Sequence, residues 1–229
     1  MAIRDNVLAV KEKIAAAAIK SGRAPEDIIL VAATKMNDAE RVREAIAAGV
    51  DACGENRVQE MLLKNEKGAY KGAPLHFIGT LQKNKVRQIV GLCDMIQSVD
   101  SEELITLIGK RACLAGITQD ILLEVNVGGE DSKSGVPVNE VARLLDRAEQ
   151  TAGIKVRGLM TIPPILTKSG GNSEFFDIMY NLFVDIRAKK YDNVSMRILS
   201  MGMSDDYADA ILAGANMVRV GSAIFGARY

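Results

Sequence analysis

Short apolar runs alternate along this chain with longer segments whose apolar residues recur every three or four positions. The strong runs are Ile28–Thr34, Leu75–Gly79, Met95–Val99, Ile121–Val127, Val156–Ile162, Ile198–Met201 and Met217–Gly221, and a weaker one, D-A-C-G, occupies 51–54. Runs of this length bounded by turn residues read as buried strands. The segments between them read as amphipathic helices. After Lys35, Asp38 can cap, Val42, Ala45 and Ile46 form one stripe, and Gly49 closes. Val141, Leu144, Leu145 and Ala148 make a second stripe, ended by Gly153, and Phe176, Met179, Phe183 and Ile186 make a third. At the next helix Ser204 is expected to accept from first-turn N–H groups. Asp205 and Asp206 favour its positive end, and Gly214 closes it.

Eight runs with helices between them predict an α/β chain folded as a single (β/α)8 TIM barrel over residues 1–229, with an extra helix at 2–20. An open doubly wound sheet would carry a glycine-rich turn after its first strand, and A-A-T-K-M-N-D has none. The stretch S-G-G-N-S at 169–173, after the prolines at 163–164, reads as a mobile surface loop.

Composition narrows the function. The chain has 229 residues, 48% of them hydrophobic, which is enough for one substantial core. Its 29 basic and 29 acidic side chains balance, so no global attraction to nucleic acid or to an anionic membrane is expected. The local cluster Lys83, Lys85, Arg87 reads as a solvated helix face. Cys53, Cys93 and Cys113 are scattered without a C-x-x-C, which suits a reducing compartment. The N-terminus mixes charge into its apolar positions, unlike a signal peptide, and no apolar run approaches the ~20 residues that span a bilayer. A soluble cytoplasmic protein is expected.

A TIM barrel carries its chemistry at the C-terminal ends of its strands. The first run ends on Lys35. A lysine there either snorkels to solvent or, desolvated, becomes a nucleophilic amine able to form a Schiff base, and position alone leaves both open. After the last two runs, Ser200, Gly202, Ser204, Gly221 and Ser222 supply hydroxyls and unobstructed N–H groups where such barrels often hold phosphate. Arg219 shares a strand face with Met217 and Gly221, and a charge there needs a partner: a phosphate, a ring nitrogen or a carboxylate such as Glu124. The single histidine, His76, removes polyhistidine metal sites and most histidine-based triads, and reads as structural. G-G-E-D-S-K-S lacks the glycine that a Walker A loop has before its lysine, so Lys133 reads as a loop lysine near the mouth.

Taken together, A-A-T-K, G-E-N-R-V-Q-E, H-F-I-G-T-L-Q-K-N-K, E-V-N-V-G-G-E-D-S-K-S-G, G-L-M-T-I-P-P and L-S-M-G-M-S-D-D with A-I-L-A-G-A-N-M-V-R-V-G-S-A-I-F-G resemble the YggS/PROSC family of pyridoxal phosphate homeostasis proteins. The resemblance runs from about residue 5 to the C-terminus. It implies a barrel like the N-terminal domain of alanine racemase, holding pyridoxal 5′-phosphate (PLP) as a Schiff base on Lys35. Ser200, Gly221 and Ser222 would hold the phosphate, with Met201 and Gly202 as accessories. Arg219 would approach the ring nitrogen or phosphate, Asn56 would line the ring, and Lys133 would be an accessory at the mouth. Arg57 replaces an aromatic common after G-E-N, Thr80 stands at a variable position, and the loop at 165–173 is individual to this chain.

The resemblance implies intracellular PLP (vitamin B6) and amino-acid homeostasis, with PLP-dependent apoenzymes as recipients, no catalytic turnover, and no nucleic-acid or membrane partner. A monomer is expected, with a dimer as the alternative. A racemase needs a second acid–base group on the opposite face of its substrate, and only seven residues follow Ser222. A weak or specialised PLP-dependent racemase is the second reading. A Schiff-base aldolase acting on a sugar phosphate without PLP is the third.

Overall fold

The computed structural model describes residues 2–130, 133–164 and 172–226. Its strands are β1 (Ile29–Ala33), β2 (Ala52–Glu55), β3 (Leu75–Phe77), β4 (Met95–Val99), β5 (Gln119–Asn126), β6 (Val136–Pro137), β7 (Ile154–Met160), β8 (Val194–Ser200) and β9 (Met217–Val220). Its helices are α1 (Ile3–Lys20), α2 (Ala39–Ala47), α3 (Val58–Glu66), α4 (Val86–Ile89), α5 (Glu102–Leu114), α6 (Val141–Glu149), α7 (Ser173–Arg187), α8 (Tyr207–Leu212) and α9 (Ser222–Phe225). Every pairing is parallel. β1 to β5 follow in order, β7, β8 and β9 continue the wall, and β9 pairs with β1, so eight strands close a barrel. β6 is a side strand on β5. The expected TIM barrel with an added N-terminal helix is the observed fold. The 165–171 part of the expected surface loop lies outside the described residues.

Strand alternation divides the side chains into two layers. Val31, Ala52, Met95, Leu122, Met160 and Met217 point inward and fill the lower barrel. Leu30, Ala32, Val218 and Val220 point outward under α1, whose Val7, Val10 and Ile14 cover the seam between β1 and β9. Moving up the same inward faces, the filling turns polar. His76, Gln97, Glu124, Ser200 and Arg219 are all buried. Burying five polar side chains in one barrel is costly unless they satisfy one another, so this layer marks the working end.

β8 starts at Val194, earlier than its apolar run predicts. Its first half, V-S-M-R, is held by pairing with β7 from Val156 onward, while Arg197 stays exposed. Gly158 lies where the β7–β8 register shifts. A Cβ there would sit 1.7 Å from the Ile198 carbonyl, so only glycine lets the two strands approach.

Candidate functional site

β1 ends at Ala33, and the chain then turns. Asn37 N–H donates to the Thr34 carbonyl at 3.1 Å, and the Asn37 amide donates to the Lys35 carbonyl at 3.0 Å. Between them Met36 adopts a left-handed conformation at φ 63°, the one non-glycine residue to do so among those described. Such a conformation costs about 1–2 kcal/mol and persists only where the surroundings impose it. Lys35 is half-buried and lines a cavity of about 430 Å³ together with Asn37, Arg41, Gly221 and Ser222.

The G-E-N-R-V-Q-E segment holds this turn from behind. Buried Lys64 donates to the Thr34 carbonyl at 2.7 Å, to Glu55 Oε1 at 2.6 Å and to Glu60 Oε1 at 2.7 Å. The Thr34 hydroxyl and Tyr70 also donate to Glu55 Oε1, and Met36 N–H donates to Glu60. Sequence reasoning missed Lys64, although a signal existed. It falls on the buried stripe of α3 with Val58 and Met61, where a lysine needs partners.

After β8, Ser204 does not cap α8 as expected. Met203 N–H donates instead to Asp206 Oδ1 at 2.6 Å, and the Ser204 hydroxyl turns to the segment after β9. There it accepts from Gly221 N–H at 3.2 Å and Ala223 N–H at 3.3 Å. Gly202, at φ 91°, makes the turn. A Cβ there would meet Ala210 at 2.6 Å. The hydroxyl thus holds the segment that begins at Gly221, and Gly221 lines the cavity of Lys35. Ser222 lines it as well and is exposed.

Ser200 lies elsewhere. It is fully buried, donates to Gln97 Oε1 at 2.7 Å and accepts from Arg219 at 2.5 Å. Arg219 also donates to the Thr161 carbonyl at 2.7 Å. Gln97 in turn reaches His76 Nδ1 at 2.9 Å. Arg219, Ser200, Gln97 and His76 therefore form one hydrogen-bonded line across the barrel. Burial lowers the Arg219 pKa to about 10 against the opposing pull of Glu124 and Asp206, so it stays a cation at neutral pH. Burial also pushes Glu124 up to about 7, with Asp100 adding to the rise and Arg219 opposing it. Burial lowers His76 to about 4, which keeps its ring neutral.

The other candidates are distributed around the mouth. Asn56 follows β2 with its buried Oδ1 lacking a hydrogen-bond partner. A Cβ at Gly79 would lie 2.2 Å from the Asn56 carbonyl, so glycine there lets the two loops close. Met201 packs into the hydrophobic core between barrel and helices. Lys133 is a pinned residue, not a solvated one. It donates to the Pro163 carbonyl at 2.9 Å and pairs with Glu130 at 2.9 Å, tying the loop after β5 to the loop after β7.

The residues fit a phosphorylated aldehyde. The Lys35 amine and the Gly221–Ser222 segment share one cavity, its volume lies in the ordinary small-ligand range, and Asn56 Oδ1 is buried without a hydrogen-bond partner. Fold and site together define a TIM barrel in which a lysine after the first strand shares a cavity with the segment after the last. The chain belongs to the alanine racemase N-terminal domain family, whose model matches residues 2–229, and within it to the pyridoxal phosphate homeostasis proteins. The pyridoxal phosphate homeostasis protein of Aquifex aeolicus is 40% identical over 96% of this chain and 95% of its own length. A crystal structure from Bifidobacterium adolescentis superposes with a TM-score of 0.92 at 38% identity, covering 97% of this chain and 94% of that one. PipY of Synechococcus elongatus, solved with PLP bound, superposes with a TM-score of 0.85 at 29% identity, covering 98% and 100%.

Proposed function

We propose that this protein binds PLP as a Schiff base on Lys35 and serves in intracellular PLP and amino-acid homeostasis, as one domain over residues 1–229. The observation that carries the reading is the single cavity shared by Lys35 and the segment at Gly221–Ser222. The names of the relatives and the PLP-bound PipY structure support it. When bound, PLP supplies an aldehyde for an amine and a phosphate for the segment after the last strand. Lys35 provides the amine. The Gly221–Ser222 segment, held by Ser204 through the N–H groups of Gly221 and Ala223, takes the phosphate, and Asn56 meets the ring.

Arg219 favours holding the cofactor over using it. A cation facing the pyridine nitrogen would oppose its protonation, and an unprotonated ring would be a weaker electron sink. The protein then acts as a cytoplasmic carrier, a monomer with PLP-dependent apoenzymes as recipients. A racemase-like activity is the second reading, favoured by the family fold, and solvent exchange of an amino acid's α-proton would reveal it.

The deciding experiment compares the visible spectrum of the PLP-treated protein with that of Lys35→Ala. A Schiff-base band present in the parent and lost in the variant is the expected result. A parent that stays colourless overturns the reading.

A further inference from the structure

The cluster Lys83, Lys85, Arg87 reads from the sequence as a solvated face, but it does not stand alone in the fold. The turn at Lys83–Lys85 and helix α4 form one wall of a groove of about 610 Å³, and α5 forms the other. Across it stand Lys110 and Arg111, so five cations line one groove in a chain whose charges balance at 29 and 29. Among the described residues Lys83 alone of the five has a carboxylate partner, Glu103.

The groove also has an apolar strip. Leu107, Lys110, Arg111 and Leu114 follow one another at i, i+3, i+4 and i+7, the spacing of a buried helix face. Leu107 is half-buried, whereas Leu114 is 72% exposed. One exposed leucine is ordinary. A leucine strip framed by four unpaired cations is not, because mutual repulsion opposes the arrangement unless an anionic partner compensates it.

We propose that the α4–α5 groove docks an acidic amphipathic segment of a partner protein. Leucine-like anchors would meet Leu107 and Leu114, and flanking carboxylates would meet the five cations, as in helix-in-groove recognition. No aromatic side chain lines the groove to stack a base, which disfavours a nucleic acid. The upper end of the groove is close to the mouth: Thr80, just before it in the chain, contacts Ser134 at 2.9 Å in the loop that carries Lys133. No residue lining the groove also lines the cavity of Lys35. The docking itself does not depend on what that cavity binds.

The test is fluorescence anisotropy with a labelled helical peptide that repeats leucine at i and i+4 between glutamates. Polyglutamate, a single-stranded oligonucleotide and phosphatidylserine vesicles serve as comparisons. The peptide is expected to bind in a salt-sensitive manner. Binding should weaken about tenfold or more in Lys110→Glu/Arg111→Glu and in Leu114→Glu, and polyglutamate should bind more weakly than the peptide. Absent peptide binding, equal binding by the variants, or tighter binding of the oligonucleotide or vesicles overturns the proposal. An unchanged visible band on PLP addition shows that the variants keep the Lys35 site, which separates this outcome from a failure of the PLP reading.

Discussion

The ammonium of Lys64 lies 2.7 Å from the carbonyl of Thr34, the residue immediately before Lys35. A buried cation on α3 therefore anchors the turn that presents the candidate Schiff-base lysine, while Glu55 and Glu60 balance its charge. Removing one partner of such a group strands the other charges in the interior. Lys64→Met should destabilise the protein by about 3–5 kcal/mol. Urea denaturation should show a lower midpoint at unchanged slope, and an unchanged midpoint would deny the network its structural role.

Two serines near the same strand ends should behave differently. Ser204→Ala removes the hydroxyl that accepts from Gly221 and Ala223. It should weaken PLP binding about tenfold, the worth of one such hydrogen bond, and leave pyridoxal, which has no phosphate, unaffected. Ser200→Ala strands buried Arg219 and Gln97 and should cost about 1–3 kcal/mol of stability. Paired titrations with PLP and pyridoxal, alongside denaturation, separate the two roles. The reverse pattern would move the phosphate to Ser200.

Glu124 and His76 oppose one another in pH dependence. Native Glu124 keeps its proton up to about pH 7, whereas the unfolded chain releases it near 4.5, so this group's stabilising contribution is lost as pH rises between those values. Native His76 refuses a proton down to about pH 4, whereas the unfolded chain binds one below 6.5, so its contribution is lost as pH falls through that window. Glu124→Gln removes the first effect alone. Its stability relative to the parent should climb by on the order of 2–3 kcal/mol between about pH 4.5 and 7. A flat difference in urea midpoints across that range would show that Glu124 is ionised throughout.

Met36 is 68% exposed and left-handed, so its side chain contributes little packing to offset its backbone strain. Met36→Gly should stabilise the fold by about 0.5–1 kcal/mol, less than the full strain because glycine also loses more entropy on folding. Thermal unfolding would rise by about 1–4 °C for a chain of this size. A fall instead would mean that the Met36 side chain holds the turn.

The alternation of apolar runs and helical stripes contained the barrel, because a buried parallel strand and an amphipathic helix each leave a local imprint. Lys35, Arg219 and Gly221 stood out as candidates for a related reason: a charge or a glycine at the end of an apolar run breaks a local pattern. What the sequence by itself could not decide was which side chains meet. Ser204 and Ser200 sit in one short motif, L-S-M-G-M-S, yet one bonds the segment after β9 and the other faces the barrel interior. The left-handed turn at Gly202 separates them, together with a partner segment lying beyond α8. Lys64 and Thr34 are 30 positions apart, and Lys83 and Lys110 face each other from different helical segments. Those relationships exist only once the barrel closes, because closure brings distant strand ends to one rim and forces their buried polar groups to find partners there.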